Sequence, residues 1–314
     1  MKRITKAGLA RQAAAAGHTA EQLHEELSRH WPTMTLADSR GYLRGAQRRM
    51  KKVGDAPRKS AESPEEQDAR IRRQYAVLSR MADRVVKAGA HKLPALVVSG
   101  PPGLGKSYTI IQRLAESGVG HDVIRGTISS PGLYLALWEQ REGGVVVLDD
   151  CDSVFRDEET LNLLKAVLDS SARRIVSYRK MARWLQDLDV PPVFEFKGSV
   201  VFATNLDFEA ETARGSKLAP HFAALMDRAL YLSLSLRTTS DILCRLRQVW
   251  WDDGLGTSMG LTTDQAEEAL HFVRDNAASF RSLSLRTMMQ IAHCMMADGK
   301  NWMDDVRATK MRTL

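Results

Sequence analysis

Apolar positions along the chain fall into three regimes. Through residues 4–52 they recur at helical spacing in three short blocks. The first runs to about Ala16 and stops at Gly17. The second opens with Thr19 and Gln22 in capping-box spacing and ends near Arg29, with Pro32 just beyond. The third follows Thr35, with Asp38 three residues on; it puts Leu36, Leu43 and Met50 on one face and Arg40, Arg44, Arg48 and Lys52 in an i, i+4 row elsewhere. Gly54, Pro57, Ser60, Ser63 and Pro64 mark a linker, and Ser63-Pro64-Glu65-Glu66 then starts a long helix. Its apolar stripe is Ile71, Tyr75, Leu78, Ala82 and Val85, and it stops at Gly89. The second regime alternates strand-like and helical runs, as in a parallel α/β sheet, with candidate strands 95–99, 122–125, 144–149, 199–204 and 229–234. From about Ser240 the pattern is helical to the end, which predicts a small lid. The chain therefore divides into a helical module over 1–53, a linker over 54–64, an α/β domain over 65–237 and a helical lid over 238–314.

Chemistry enters at the first strand. The apolar run Ala95-Leu96-Val97-Val98 leads into Gly100-Pro101-Pro102-Gly103-Leu104-Gly105-Lys106-Ser107, which fits the phosphate-binding pattern G-x-x-x-x-G-K-[ST]. Glycines let the backbone N–H groups turn inward around an anion, and the following helix presents its positive end to it. Lys106 is placed to reach the β- and γ-phosphates of a nucleoside triphosphate, and the Ser107 hydroxyl to bind Mg²⁺. Downstream, Val145-Val146-Val147-Leu148 delivers Asp149 and Asp150 to the end of a buried strand. The first carboxylate is positioned to hold Mg²⁺ and the second to polarise an attacking water. A third strand, Ser199-Val200-Val201-Phe202-Ala203-Thr204, ends at Asn205, which would orient that water; taken alone, Asn205 also fits an ordinary turn.

In this order and spacing the three motifs resemble the AAA+ ATPases, over roughly residues 65–314, and are most similar to the single-ring AAA+ proteins encoded by bacteriophages. The resemblance implies a five-stranded parallel P-loop sheet flanked by helices, with a C-terminal helical lid beside the small N-terminal helical domain. It makes Lys106 and Ser107 part of Walker A, Asp149 and Asp150 Walker B, and Asn205 sensor 1. Arg228, in Ala224-Leu225-Met226-Asp227-Arg228, matches the arginine finger that reaches a neighbouring subunit's site; Arg286, in Leu283-Ser284-Leu285-Arg286, matches sensor 2. Arg214 and Arg281 are their nearest rivals. ATP, Mg²⁺ and assembly into a homo-oligomer follow from the same resemblance.

The sequence departs from that pattern in two places. Walker B reads Asp-Asp where Asp-Glu is usual, so Asp150 is one methylene short of a glutamate base. The aromatic-apolar-Gly loop of ring unfoldases is replaced by Ser129-Ser130-Pro131-Gly132, with Tyr134 on the wrong side of the glycine, which argues against threading of polypeptide. Between Arg174-Ile175-Val176-Ser177-Tyr178 and Val193-Phe194-Glu195-Phe196 lies an extra stretch. The two runs are expected to pair, with Arg179, Lys180 and Arg183 on the connection. It resembles the hairpin of AAA+ proteins that grip nucleic acid, or is a surface excursion packed down by Trp184 and Leu185.

Charge sharpens the picture at one end. Of the net +7, residues 1–60 hold 13 Lys and Arg against 5 Asp and Glu, while the remaining 254 residues carry 32 against 33. A three-helix unit with a basic third helix suggests a helix-turn-helix placing Arg40, Arg44, Gln47, Arg48, Lys51 and Lys52 near DNA; the alternative is a solvated face or a dock for an acidic partner. The three cysteines, Cys151, Cys244 and Cys294, form no metal-ligand spacing or disulfide framework, which points to a reducing cytosol. Cys151 adjoins the acidic pair, so its pKa is expected to be raised. No apolar run reaches the roughly 18 residues of a membrane span, and the basic Met1 to Lys6 segment lacks the apolar stretch of a signal peptide. Three functional classes remain open: a nucleic-acid or nucleoprotein remodeller, a protein-remodelling chaperone, and a slow ATP-dependent DNA-binding switch.

Overall fold

A computed structural model describes residues 5–16, 18–54, 62–87, 93–169, 171, 173–180, 183–297 and 299–312. The chain forms two compact units, residues 1–63 and 64–314. Gly17 and Gly89, both expected as helix stops, lie outside the described residues, as does most of the expected linker, 55–61.

The first unit is built from α1 (Lys6–Ala15), α2 (Ala20–His30) and α3 (Leu36–Gly54). Its helix starts follow the sequence. Thr19 and Gln22 cap α2 reciprocally, and Thr35 and Asp38 exchange the same pair of bonds at the start of α3. Ala10, Ala13, Leu23, Leu27, Met34, Leu43 and Ala46 make its core. Ser39 is buried on the inner side of α3, where its hydroxyl donates to the Thr35 carbonyl at 3.2 Å and meets His24 Nδ1 at 3.1 Å, so the polar group is satisfied.

The second unit opens with α4 (Pro64–Val86), whose stripe Ile71, Tyr75, Leu78, Ala82 and Val85 is buried throughout. Its sheet comprises β1 (Ala95–Ser99), β2 (His121–Arg125), β3 (Val145–Asp149), β6 (Ser199–Thr204) and β7 (Leu230–Ser233), in the order β2-β3-β6-β1-β7 and parallel at every pairing. β1, β3 and β6 are buried along their whole length, as expected of central strands covered on both faces. Alternation sorts the side chains: Leu96, Val98, Val145 and Val147 face one core, and Ala95, Val97, Val146 and Leu148 the other.

The first core is shared with α4, α5 (Lys106–Ser117) and the C-terminal helices. Those are α11 (Thr239–Arg247), a π-helical turn Gln248–Asp252, α12 (Leu255–Ser258), α13 (Thr263–Asp275), α14 (Leu285–Ala297) and α15 (Trp302–Lys310). The second core is closed by α6 (Ser130–Glu139), α7 (Glu158–Val167) and α10 (Ala219–Arg228), with Phe155, Phe208 and Phe222 interlocked edge-on and stacked. Short helices α8 (Arg183–Asp187) and α9 (Phe208–Ala213) and the strands β4 (Ile175–Ser177) and β5 (Val193–Glu195) complete it. The two short strands pair antiparallel, Val176 opposite Phe194, as expected of the inserted stretch. No helix among the described residues is long and apolar enough to cross a membrane.

Candidate functional site

The C-terminal ends of β1, β3 and β6 lie level, because the register sets Ser99 beside Thr204 and Asp149 beside Ala203. The loop Gly100–Ser107 leaves β1 there and enters α5. Gly103 and Gly105 have φ of +68° and +95°, the left-handed region that a side chain disfavours. No side chain caps α5, so its first-turn N–H groups are presented to the cleft, a built seat for an anion.

Lys106 is only 5% exposed. Its ammonium donates to the Gly100 carbonyl at 2.7 Å, the Pro101 carbonyl at 2.9 Å and Asn205 Oδ1 at 2.9 Å. Burial lowers its pKa to about 8, partly opposed by the charges of Asp150, Asp149 and Asp152. Asn205 Nδ2 in turn donates to Asp150 Oδ1 at 2.8 Å, so the asparagine ties the loop lysine to the second carboxylate.

The three aspartates at this edge have separate partners. Asp149 is buried and accepts from the Ser107 hydroxyl and, at 3.2 Å, from Arg125 Nε at the end of β2. Asp152 accepts from the Thr204 hydroxyl at 2.6 Å. Asp150 turns the chain with a φ of +51° while its N–H donates to the Ala203 carbonyl at 2.9 Å. Its carboxyl pKa is raised, first by burial and then by Asp149, the direction that makes a carboxylate a stronger base. The hydroxyl of Ser107 beside the carboxylate of Asp149 is a hard oxygen donor pair of the kind Mg²⁺ takes. Among the described residues no cluster of three or more His, Cys, Asp or Glu side chains is arranged to hold a metal by itself. The donor set thus fits an ion that arrives with phosphate oxygens and water as its remaining ligands.

The opposite wall of this cleft, about 850 Å³ in volume, comes from α4 and the lid. Leu285 N–H donates to the Gly103 carbonyl at 2.8 Å, and Ser284 Cβ lies 2.7 Å from where a Cβ on Gly103 would be. Arg286, next on α14, lines the cleft, and its charge bears on both Lys106 and Asp150. Its rival Arg281 instead donates to the Thr309 carbonyl at 3.4 Å. Arg228 ends α10, exposed, with Nη1 3.4 Å from the Lys165 carbonyl, and is not among the residues lining the cleft. Arg214 pairs with Glu211 at 3.0 Å.

Sequence reasoning missed Tyr75, Arg245 and Arg125. Tyr75 looks in sequence like one more core position, although a hydroxyl within an apolar stripe is the available signal; it donates to the Leu104 carbonyl of the phosphate loop at 2.6 Å. Arg245 sits in an arginine-rich helix that hides it, and Arg125 needs the β2–β3 register. The Cys151 pKa is raised as expected, but burial is the first cause, and the acid that adds to it is Asp152 rather than the Asp149–Asp150 pair.

On the inserted hairpin, Arg179, Lys180 and Arg183 are exposed, Lys180 pairing with Glu159 at 3.0 Å, while Leu185 is buried. The Trp184 side chain lies outside the described residues. Tyr134 is buried, its hydroxyl donating to the Pro191 carbonyl at 2.7 Å, which makes it a support for the hairpin. In the N-terminal unit Arg40 is exposed and paired with Glu21 at 3.2 Å, and Arg44 Nε donates to the Arg40 carbonyl at 3.3 Å. The side chains of Gln47, Arg48, Lys51 and Lys52 lie outside the described residues.

The strand order, the glycine-shaped loop and the level strand ends define a parallel α/β fold of the P-loop class flanked by helices. A 36.7 kDa uncharacterized protein from the nrdC-mobD intergenic region of Enterobacteria phage T4 is 34% identical over 245 residues, which is 77% of this chain and 74% of that protein. The chain belongs to the family of this phage T4 protein. No protein-family model matches it. Among solved structures, RuvB of Thermotoga maritima, a Holliday junction branch migration motor, is 14% identical, with 76% of this chain and 68% of that chain covered at a TM-score of 0.44. NtrX of Brucella abortus in complex with ADP is 14% identical, with 90% and 59% covered at a TM-score of 0.45.

Proposed function

We propose that the chain is a phage-encoded AAA+ ATPase of the bacterial cytosol, which binds ATP with Mg²⁺, hydrolyses it as a homo-oligomer and uses the turnover to remodel or move on nucleic acid or nucleoprotein. The observation that carries this is the chain of contacts Lys106–Asn205–Asp150 beside Ser107–Asp149, all at one sheet edge and around one anion seat. The loop Gly100, Pro101, Pro102, Gly103, Leu104 and Gly105 wraps the phosphates, and Lys106 exchanges loop carbonyls for phosphate oxygens. Ser107 and Asp149 would hold Mg²⁺, which would supply neutralisation of phosphate charge when bound. Once Lys106 is drawn to the γ-phosphate, Asn205 loses one of its two partners and is free to orient water, while Asp150 takes the water's proton. Arg286 meets the γ-phosphate from the lid, and Arg228, away from its own cleft, completes a neighbour's.

A second reading is favoured by one observation. Asp150 is short for a general base and is tethered by Asn205, which suits slow hydrolysis and a switch that assembles on DNA while ATP is bound. Steady-state ATP hydrolysis at low salt, with and without duplex and single-stranded DNA, tests both. Stimulation by DNA that disappears on deleting residues 1–53 supports a DNA-directed remodeller. ATP-dependent DNA assembly with turnover that DNA leaves slow supports the switch. Robust hydrolysis indifferent to DNA overturns both in favour of a protein client.

A further inference from the structure

Arg245 lies on α11 with only 9% of its surface exposed. A buried cation is unfavourable unless a counter-charge and hydrogen bonds satisfy it. Here Nη1 donates to Gln248 Oε1 at 3.3 Å, while Nε finds no hydrogen-bond partner among the described residues. The Tyr75 hydroxyl is the first group to act favourably on its charge and Asp253 a lesser one through space, and no carboxylate closes an ion pair with it among the described residues. The guanidinium carbon stands 3.5 Å from the centroid of the Tyr75 ring, and Nη2 is 3.7 Å from where a Cβ on Gly105 would be. The Tyr75 hydroxyl holds the Leu104 carbonyl. A lid cation with an unsatisfied Nε is therefore stacked on the ring that grips the phosphate loop, and it also borders the cleft.

The surrounding structure fixes this arrangement. Arg247 and Gln248 both donate to the Asp68 carboxylate on α4, and Arg72 joins Asp68 to Asp252. Just beyond Arg245, α11 widens into the π-helical turn Gln248–Asp252, a form that recurs at functional positions, and Val249 and Asp253 enter the cleft wall.

We infer that Arg245 is a positioning residue for the phosphate loop: through Tyr75 it holds Leu104 and Gly105 in their anion-binding geometry, and it takes the phosphate charge of the bound nucleotide as its missing counter-charge. This rests on the nucleotide-binding reading. It makes the lid part of the phosphate seat even before any lid residue touches the γ-phosphate.

The test is calorimetric titration of the full chain with ATP and Mg²⁺, beside thermal unfolding of each variant without nucleotide. Arg245→Leu is expected to weaken ATP binding about tenfold, as removal of a desolvated cation–π pair does. Tyr75→Phe, which keeps the ring and removes the hydroxyl, is expected to weaken it about fivefold. Arg245→Lys should recover part of the loss. The double variant should bind no worse than Arg245→Leu, since the Tyr75 hydroxyl holds the Leu104 carbonyl in place only while Arg245 fixes its ring. A purely structural role would shift the unfolding temperature and leave affinity intact, which overturns the inference; so would losses that multiply in the double variant. If Arg245→Leu does not fold, Tyr75→Phe decides, and unchanged affinity there is again fatal. Wild-type protein that binds no ATP overturns the nucleotide reading and the inference with it, whereas wild-type binding with unchanged variants overturns the inference alone.

Discussion

The two walls of the cleft are built on different physical terms. On the sheet side, Asp149, Asp150 and Asn205 hang from strand ends that the parallel register brings level, and Lys106 and Ser107 open α5 at the end of the loop that leaves β1, so backbone hydrogen bonds fix where the sheet residues meet. On the lid side, Arg245, Ser284, Leu285 and Arg286 arrive by packing of α11 and α14 against α4 and the phosphate loop, through contacts between residues far apart in sequence. On the first wall Asp150 with Asn205 should govern turnover, while Lys106 meets phosphate and should govern affinity. The second wall closes over the loop and should govern affinity too. Substitutions at Asp150 and on the lid ought therefore to separate in kinetics.

The largest effect is expected at Asp150. Asp150→Asn keeps the hydrogen bond from Asn205 and removes the base, so turnover should fall about 10³-fold, within the range for loss of a general base, while ATP affinity holds. Single-turnover hydrolysis beside equilibrium binding checks both halves, and a fully active Asp150→Asn would show that the sheet wall does not carry the chemistry. Next is Lys106→Ala, expected to weaken ATP binding about 100-fold by removing a charged donor from the phosphate seat. Its pH signature is distinctive. The empty-site pKa of about 8 lies below the ordinary lysine value because the amine is buried, and bound phosphate must raise it. Affinity is therefore full below pH 8 and should fall about tenfold per pH unit above it, until the bound-state pKa is reached. Titrations from pH 7 to pH 9.5 would detect the slope, and Lys106→Ala should flatten it.

How much of this is legible in sequence also divides by wall. The sheet side is readable because its geometry is local: a glycine pattern before a helix, carboxylates after four apolar residues, Thr204-Asn205 after a strand. Strand ends come within one residue, since buried parallel strands carry unbroken apolar runs. Of the lid side, Arg286 is reached only through family resemblance. Tyr75 and Arg245 stay hidden, because an apolar stripe tolerates a tyrosine without declaring a target for its hydroxyl, and one arginine among Arg237, Arg245 and Arg247 looks like the next. Only tertiary packing says which of the three is buried. The Asp149 partner Arg125 is invisible for a related reason, as register is not written in periodicity.

Gly103 joins the walls and sharpens the comparison. A side chain there meets both a φ of +68° and Ser284 Cβ at 2.7 Å, so Gly103→Ala should cost about 1–3 kcal/mol and show as weaker ATP binding with a lower unfolding temperature. Gly105 has φ of +95° but no neighbour closer than 3.7 Å. Adding Ser284→Gly should therefore recover part of the Gly103→Ala loss and none of a Gly105→Ala loss. Recovery of neither would mean that backbone strain alone, and not contact with the lid, sets the loop.

The smallest effect belongs to the N-terminal unit, where the proposal of DNA contact through Arg40, Arg44, Gln47, Arg48, Lys51 and Lys52 is tested by salt. Arg40 is exposed and already paired with Glu21, and an exposed pair of this kind is weak, so DNA phosphate can compete for the guanidinium. Arg40→Gln should then weaken duplex binding only about threefold at low salt and reduce the slope of log affinity against log salt by about 0.9, as follows when the protein neutralises one phosphate fewer. Glu21→Gln removes the competitor and should tighten binding slightly with the slope kept. If Arg40→Gln leaves the slope unchanged, Arg40 is a partner of Glu21 and nothing more, and any DNA contact of the basic helix falls to the cations further along it.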